Sequence, residues 1–316
     1  MTENTRASMY RVVPGFLRAG LRWCMIALSI TVIVSTAAFA DIDPLTPWAD
    51  CWNNLAFNTT NFESDNFSTH LDRFEGRFGV NLLPIAQNVW IKPYVGYVMV
   101  YSGNKNYYNN NLAYGGGVRI NPFMNSDDPL MRDLKVYIET MQASWLQDET
   151  KAKTDNIPTT DTRWGYDLWH EWNQKQNYQT DEPIDYKQPW AELWSNLSFH
   201  STNFNYGFDG GYIFNLQPKM GFYLNSDTPD LVEPYIRADL VMSSKTGVTW
   251  DYLNTADVGL GVRLEPFRKG DPNEVNPFLF KFKAFGEALV ATYFTGQTPG
   301  RPDSNVRLGI DFTVGR

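Results

Sequence analysis

Residues 112–123 carry the sequence LAYGGGVRINPF, and residues 256–267 repeat it as ADVGLGVRLEPF. In both stretches almost every second side chain is apolar, and the residues between them are small, polar or charged. Each stretch has an arginine near its end, Arg119 or Arg263, and a proline three residues later. A period of two is typical of a β-strand with two different faces. Such a strand belongs either to a soluble sandwich or to the wall of a membrane barrel.

The second half of the chain repeats the order of motifs found in the first half. PWADCWNNLAFNTTNF at residues 47–62 returns as PWAELWSNLSFHSTNF at residues 189–204, and KPY at 92–94 returns as EPY at 233–235. Further downstream the kept pairs are Lys135/Lys283, Glu139/Glu287, Arg163/Arg307 and Asp167/Asp311. Blocks that recur in the same order predict an internal repeat, with repeat one at about 47–175 and repeat two at about 189–316.

Turn signals divide each half into six candidate strands. They are expected at 48–59, 73–83, 90–101, 112–121, 134–145 and 162–172, and at 190–201, 208–216, 232–243, 256–265, 278–293 and 305–314. Most have the ~9 to 11 residues that a tilted transmembrane strand needs, whereas soluble strands average ~5 to 6. The connections alternate between polar, often long segments and segments marked by proline, two of which are not short. Short turns at the end that holds both termini, with longer loops opposite, are typical of outer-membrane barrels.

The sequence therefore predicts an all-β fold, an antiparallel transmembrane β-barrel of about 12 strands built from two six-stranded repeats. A closed barrel leaves no unpaired sheet edge in lipid, which an open sheet cannot avoid. The same alternation also permits a soluble sandwich with its apolar faces inward. Strand length, a secretory N-terminus and mid-strand glycines such as Gly117 and Gly261 favour the barrel.

If the face of Arg119 points inward, alternation assigns most strand charges to the lumen. The candidate lumen-facing residues are Arg119, Arg263, Glu139, Glu287, Arg163, Arg307, Asp167 and Asp311. These charges either pair into a network that fills the barrel or line a water-filled passage for a polar solute. Partial pairing is favoured, because about twelve strands enclose an interior between the filled small barrels and the open porins. On the opposite face Trp164, Tyr166 and Trp172 suit an aromatic girdle.

Residues 1–40 have the layout of a secretory signal peptide. Four arginines precede an apolar run at 24–34, and cleavage is expected after the small-x-small triplet that ends at Ala40. A permanent signal anchor is the alternative, although the run is shorter than the ~20 residues of a spanning helix. Residues 41–316 are expected to form the barrel, with Cys51 as the remaining cysteine and no internal disulfide. The formal net charge of -8 argues against nucleic acid as a partner.

The duplicated blocks PW-x-x-x-W, KPY/EPY, GVR-x-x-PF and K-x-x-x-E also carry a family resemblance. They resemble the barrel-forming C-terminal region of outer-membrane proteins tied to exopolysaccharide export and surface glycans, including the phage adsorption protein A family. The likeness covers most of residues 47–316. It implies an outer-membrane barrel that passes a secreted polysaccharide or anchors the machinery for it, with periplasmic export components as partners.

Residue types that carry metal or enzyme chemistry are sparse. The histidines are His70, His170 and His200, and no CxxC, HExxH or Asp-rich calcium loop occurs, so no metal site and no cofactor are expected. His200, Ser201 and Asn203 match the residue types of outer-membrane phospholipases. Adjacent residues on a strand point to opposite faces, however, so His200 cannot activate Ser201, and no catalysis is expected.

Aromatic and amide side chains leave two further interpretations open. Trp48, Trp52, Trp190 and Trp194 either stack on sugar rings or serve packing and interface anchoring, and packing is favoured. The Asn-rich segment 104–111 either binds glycan or ions or is a solvated loop, and the loop is favoured.

Sequence and resemblance together predict a non-enzymatic β-barrel of the cell outer membrane that acts in transport or surface assembly of polysaccharide. A general porin, a surface receptor such as a phage receptor, and a lipid-modifying barrel enzyme are the alternatives. The expected partners are outer-membrane lipid, polysaccharide and periplasmic export components.

Overall fold

The chain forms a closed antiparallel β-barrel in the computed structural model, which describes residues 45–61, 66–67, 70–103, 109–173, 185, 187–204, 208–224, 232–246, 248–266 and 282–314. The first half contains β1 (Pro47–Asn58), β2 (His70–Val80), β3 (Val89–Ser102), β4 (Asn111–Ile120), β5 (Leu134–Trp145) and β6 (Thr160–Trp172). The second half contains β7 (Trp190–Asn203), β8 (Phe208–Gly221), β9 (Val232–Ser243), β10 (Thr255–Leu264), β11 (Phe282–Tyr293) and β12 (Ser304–Val314).

Each barrel strand pairs antiparallel with its neighbours in the chain. The ring closes between β1 and β12, in a register that runs from Cys51↔Val314 to Asn58↔Arg307. Closure gives the backbone donors and acceptors of the first and last strands a partner, so the barrel has no open edge. The predicted all-β class and the twelve antiparallel strands are confirmed.

Burial on the two faces of the strands is inverted relative to a soluble protein. Arg119 is 7% exposed whereas its neighbour Val118 is 38% exposed, and Asp257 is 1% exposed whereas Val258 is 60% exposed. Neighbouring residues of a strand point to opposite faces, so the charged side chains lie inside the ring and the apolar ones outside it. A sandwich would bury the apolar face, so the soluble alternative is excluded.

Most strands lie within two or three residues of the predicted ranges, and β8 is the main exception. It continues to Gly221, although the sequence placed its end at residue 216, before Pro218. Pro218 pairs with Leu193 on β7, and the ladder to β9 skips residues 217 and 218. A proline has no N–H to donate, so it interrupts one ladder while the other carries the strand onward. Residues 278–281, predicted as the start of β11, lie outside the described residues.

The barrel has two ends that carry different connections. The loop end holds connections 59–69, 103–110, 146–159, 204–207, 244–254 and 294–303, and the terminal end holds the remaining connections and both ends of the barrel chain. Connection length does not separate the two ends, because residues 204–207 form a shorter link than residues 121–133. The predicted contrast between short turns and long loops is therefore wrong.

Short elements decorate both ends. Helix α1 (Pro129–Arg132) lies at the terminal end, where Asp128 accepts a hydrogen bond from the N–H of Leu130 at 2.9 Å. Helix α2 (Glu149–Thr154) and a 3₁₀ helix (Val248–Leu253) lie at the loop end. Short strands pair at each end as well, Leu83–Ala86 with β3 and Thr60–Asn61 with Asn66–Phe67. Within the described ranges, no helix is long and apolar enough to cross a membrane.

The signal-peptide prediction for residues 1–40 and the prediction for loop residues 104–108 fall outside the described residues. The repeat bounds and the duplication stay predictions from the sequence.

Candidate functional site: the lumen of the barrel

The six charged residues kept between the halves at Arg119/Arg263, Glu139/Glu287 and Arg163/Arg307 lie inside the ring and form ion pairs. Among these residues the same arrangement of ion pairs occurs in both halves. In each half a glutamate from the fifth strand binds an arginine from the sixth, and an arginine from the fourth strand reaches across the lumen to the first. The lumen is therefore crossed by side chains rather than merely lined by them.

Glu139 is the centre of the first-half cluster. One carboxylate oxygen accepts a hydrogen bond from Arg163 Nε at 2.6 Å, and the other accepts one from the Tyr94 hydroxyl at 2.8 Å. Arg77 Nε lies 3.8 Å from the same carboxylate. Because Glu139 is buried, these guanidinium groups replace the hydration that its charge would otherwise need.

Glu287 occupies the corresponding place in the second half. The Tyr235 hydroxyl donates to it at 2.5 Å, Arg237 Nη1 lies 2.9 Å away, and Arg307 Nε forms a close ion pair with it. Arg237 also pairs closely with Asp239. Arg237 and Asp239 stand where the first half has Gly96 and Val98, so the second cluster carries one more ion pair.

Nearer the terminal end, Arg119 lies flat against a tryptophan. Its guanidinium carbon is 3.8 Å from the centroid of the Trp48 ring, and Nη1 pairs closely with Asp50. The indole also packs against Gly79, where a Cβ would lie 2.5 Å from the ring. Tyr94 meets the same indole edge-on at 5.8 Å. A side chain at position 79 would therefore clash with the Pro93 backbone oxygen, 2.4 Å from that Cβ, and with Trp48.

Trp190 and Arg263 repeat this arrangement in the second half, with a centroid distance of 3.7 Å. A Cβ at Gly221 would lie 2.2 Å from the Trp190 ring. Arg263 binds several carboxylates where Arg119 binds Asp50: it pairs closely with Glu192, with Glu233 at 2.5 Å and with Glu265 at 2.9 Å. The nearby Lys283 also contacts Glu192, with its Nζ at 2.8 Å. Trp48 and Trp190 therefore serve packing, as the sequence favoured.

Asp167 and Asp311, the remaining predicted lumen residues, border a cavity of about 290 Å³ inside the ring. Asp167 accepts a hydrogen bond from Trp194 Nε1 at 3.1 Å. The cavity is also lined by Trp52 and Trp169, by the amides of Asn54, Asn196, Asn215 and Gln217, and by Arg73, Arg77, Arg163, Arg237 and Arg307. Trp169 and Trp194 lie opposite each other on β6 and β7. The cavity thus combines flat aromatic rings with planar hydrogen-bonding groups.

A second polar cluster lies toward the loop end and was not recognised from the sequence. Ser198 and His200 of β7 share the inner face, and Asp161 is the second residue of the neighbouring strand β6. Ser198 Oγ lies 2.9 Å from His200 Nε2, and His200 Nδ1 lies 2.7 Å from Asp161 Oδ2. All three residues are buried, and Ser198 and His200 border the cavity. The spacing Ser-x-His was the available signal, because residues two apart on a strand point the same way.

Ser201, which the sequence considered as a nucleophile, points away from His200. Its Oγ accepts a hydrogen bond from the backbone N–H of Thr162 at 2.9 Å. Among the described residues, no group of three or more His, Cys, Asp or Glu side chains could hold a metal ion.

The fold and the lumen define a closed twelve-stranded barrel with an apolar exterior and an ion-paired, partly hollow interior. No family model and no curated protein matches the chain. Three solved structures illustrate the structural similarity. The transport unit of the autotransporter AIDA-I from Escherichia coli is 11% identical, with a TM-score of 0.34, and the match covers 90% of this chain and 96% of that one.

The β domain of the Bordetella autotransporter BrkA is 10% identical, with a TM-score of 0.32, and the match covers 84% of this chain and 98% of that one. A bacterial polysaccharide outer-membrane secretin is 9% identical, with a TM-score of 0.32 and coverage of 85% and 98%. Because these TM-scores are low, the fold assignment depends on the strand pairing of this chain alone.

Proposed function

We propose that the protein is an outer-membrane β-barrel that binds polysaccharide in its lumen, during transport or surface assembly of that polymer. The cavity between Trp52, Trp169 and Trp194 is the observation that carries the proposal. The apolar face of a sugar ring packs against an aromatic ring, and its hydroxyls hydrogen-bond to amide, carboxylate and guanidinium groups. The cavity supplies each of these groups next to one another.

The outer surface supports a place in a lipid bilayer. Large apolar side chains are exposed all around the ring, among them Val95, Ile138, Trp164, Ile236, Val258, Leu260, Val290 and Leu308. A soluble protein rarely exposes an apolar surface of this extent. The closed backbone ladder meets the demand that no N–H or C=O be left unpaired in hydrocarbon.

The ion pairs of the terminal end favour a binding lumen over an open porin. Arg119 with Asp50 and Arg263 with Glu192 connect strands on different sides of the lumen near the starts of β1 and β7. A freely open porin would instead have a water-filled channel along its full length. We therefore expect a small conductance that a bound oligosaccharide blocks.

The first test concerns the membrane. The protein should fractionate with outer membranes and show heat-modifiable gel mobility, and spin labels at positions 118 and 262 should report a lipid environment. Recovery in the soluble periplasmic extract would contradict the barrel in a membrane.

The second test concerns the ligand. Reconstituted protein is titrated in planar bilayers with neutral maltoheptaose, an anionic oligogalacturonate and a cationic chitosan oligomer. At least one should block the conductance, and Trp194→Ala should weaken that block tenfold or more because it removes a stacking surface. Trp164→Ala, which removes an indole from the outer face, is the matched control and should leave the block unchanged. Conductance that none of the three oligosaccharides blocks would support a porin instead, and absence of conductance would support a receptor.

A further inference from the structure

The cluster of Ser198, His200 and Asp161 has the hydrogen-bond order that a serine nucleophile requires. An ionised Asp161 can only accept, so the hydrogen on His200 Nδ1 points to Asp161 Oδ2 across 2.7 Å. Nε2 is then left as an acceptor for the Ser198 hydroxyl at 2.9 Å. The second oxygen of Asp161 accepts the backbone N–H of Thr202 at 3.3 Å, which fixes the orientation of the carboxylate.

The cluster borders the cavity, so a small substrate in the lumen can meet Ser198 Oγ. On one side of Ser198 lies Ile213, its register partner on β8, which packs against Leu253 of the 3₁₀ helix. These two side chains form a small apolar wall beside Ser198. The wall can take the hydrocarbon part of a short acyl group, and the amides and arginines on the other side can take a polar alcohol.

The junction of β12 and β1 shows that the fold does not need these residues for packing. At the corresponding positions the chain has Ala56, Asn58 and Asn305. Asn305 Nδ2 donates to Asn58 Oδ1 at 2.9 Å and thereby links β12 to β1 as His200 links β7 to β6. An amide pair therefore meets the structural requirement at this level of the barrel. The serine, the imidazole and the carboxylate are therefore not required for the structure at this level.

We infer that Ser198, His200 and Asp161 form an esterase site in the lumen that cleaves short-chain carboxylic esters of polar alcohols. Ser198 and His200 are the catalytic residues, and Asp161 is a positioning residue. The inference does not depend on the polysaccharide role, because it requires only that an ester enters the cavity. It also replaces the sequence-based expectation of no catalysis, which considered Ser201 alone.

The reaction proceeds in two steps of nucleophilic acyl transfer. Ser198 Oγ attacks the carbonyl carbon while its proton passes to His200 Nε2, and the tetrahedral adduct expels the alcohol, which takes that proton. Water then attacks the acyl-serine, gives a proton to Nε2 and displaces Ser198 Oγ, which recovers it. The sum is ester plus water to carboxylic acid plus alcohol, with no change in oxidation state. Throughout, Asp161 holds the imidazole in the tautomer in which Nε2 accepts from the Ser198 hydroxyl.

The test uses the full chain, folded in detergent micelles, with p-nitrophenyl acetate as substrate and a fluorophosphonate as covalent probe. The probe should label one serine, which peptide mapping places at Ser198, and Ser198→Ala should abolish both labelling and burst hydrolysis. The matched control is Ser195→Ala, because Ser195 lies on the outer face of the same strand, where its Oγ is 3.1 Å from the Tyr166 hydroxyl. This control should retain the wild-type rate.

Asp161 requires readouts that a structural role would not change. Asp161→Asn should lower kcat about 100-fold or more with little change in KM, since the amide favours the wrong imidazole tautomer. Asp161→Glu should recover part of that loss. A merely structural Asp161 would predict equal effects of the two variants.

A final variant guards against misfolding. The triple variant Ser198→Ala/His200→Asn/Asp161→Asn gives the junction of β6 and β7 the residues found at the junction of β12 and β1, so it should fold to the same heat-modifiable barrel without esterase activity. If the folded triple variant hydrolyses the ester as fast as the wild type, or if the wild type is labelled no more than Ser198→Ala, the inference is wrong. If the triple variant does not fold, the two single variants provide the test. The inference requires that the probe labels Ser195→Ala and does not label Ser198→Ala, and equal labelling of the two would contradict it.

Discussion

The two halves of the barrel share a scaffold and differ in the chemistry placed on it. In each half a glycine allows a tryptophan to lie flat, an arginine covers that tryptophan, and a tyrosine hydroxyl donates to a buried glutamate. These groups meet across several strands, so each constrains the others. Their recurrence indicates that they hold the ring at a fixed width.

The positions that differ lie around this shared scaffold. Arg263 gathers Glu192, Glu233 and Glu265, whereas Arg119 pairs with Asp50. Toward the loop end, Ser198, His200 and Asp161 replace an alanine and two asparagines. Side chains that recur at corresponding positions are the ones that the fold needs. Side chains that differ between corresponding positions are the ones that a function adds. Four sets of substitutions test that separation, and the largest effect is expected where the halves agree.

Removal of either central glutamate should destabilise the barrel most. Glu139→Ala leaves Arg163 and Arg77 without this carboxylate, and Glu287→Ala does the same to Arg307 and Arg237. Loss of one partner from a buried ion pair costs about 3 to 5 kcal/mol. We expect similar losses in both halves, measured by urea unfolding in detergent micelles with tryptophan fluorescence.

The matched control for the glutamates is Glu149→Ala. Glu149 forms an i,i+4 ion pair with Lys153 on the solvent-exposed helix α2, and exposed pairs contribute about 0.2 to 1 kcal/mol at most. A Glu139→Ala loss no larger than that of the control would mean that the shared cluster does not support the ring.

Alanine at the glycines behind the tryptophans should have the next largest effect. At Gly79 the added Cβ would lie 2.4 Å from the Pro93 backbone oxygen as well as 2.5 Å from Trp48, and at Gly221 its three nearest atoms would belong to the Trp190 ring. Overpacking of this kind costs about 1 to 3 kcal/mol. Because a backbone yields less readily than a ring, Gly79→Ala should be the more destabilising of the two.

Gly286→Ala is the control for the glycine series. Its Cβ would meet Leu308 Cδ2 at 3.0 Å, and the end of a leucine side chain on the outer face can turn away. The same unfolding measurement should give a smaller loss. Equal losses of unfolding free energy at all three positions would show that Trp48 and Trp190 do not depend on a glycine at positions 79 and 221.

Lysine in place of the stacked arginines should distinguish the halves. A lysine keeps the charge but loses the planar contact with the indole, which is worth about 0.5 to 2 kcal/mol. Arg263→Lys also loses the forked hydrogen bonds to Glu233, where Nη2 and Nε lie 2.5 and 3.1 Å from one oxygen. Arg263→Lys should therefore lower the unfolding midpoint more than Arg119→Lys, and the reverse order would contradict the view that the extra carboxylates bind this guanidinium.

The fold could be predicted from the sequence because strand periodicity is a local property. Val118 and Arg119 are adjacent, and their opposite faces follow from the geometry of a strand. A run of such strands with the charges on one face leaves only the choice of which face looks inward. Pro218 shows the limit of this reasoning: a proline argues against a strand locally, whereas β7 holds β8 in register on its other side.

The contacts of the lumen could not be predicted in the same way, because they depend on which strands face each other across the ring. Arg119 and Asp50 stand on β4 and β1, which are not neighbours, so the closure of the barrel determines their contact. The pair Ser198 and His200 was readable from spacing, but Asp161 joins it only through the register of β6 against β7, which places Arg163 opposite His200. Register is a non-local property that local sequence patterns do not determine.

The smallest effect on stability is expected from a transfer of the loop-end residues to the junction of β12 and β1. Ala56→Ser, Asn58→His and Asn305→Asp together rebuild the set of Ser198, His200 and Asp161 there. Positions 56 and 58 also border the cavity, and Leu71 stands where the original set has Ile213. Because the scaffold around them is shared, the unfolding free energy should change by no more than about 1 kcal/mol.

The fluorophosphonate probe should then label a second peptide, the one that contains position 56, and the burst of p-nitrophenol should approach two per chain. A fully folded triple variant with a single labelled serine would show that the two halves differ in more than these three side chains, and would direct attention to Leu253, the buried apolar side chain that packs against Ile213.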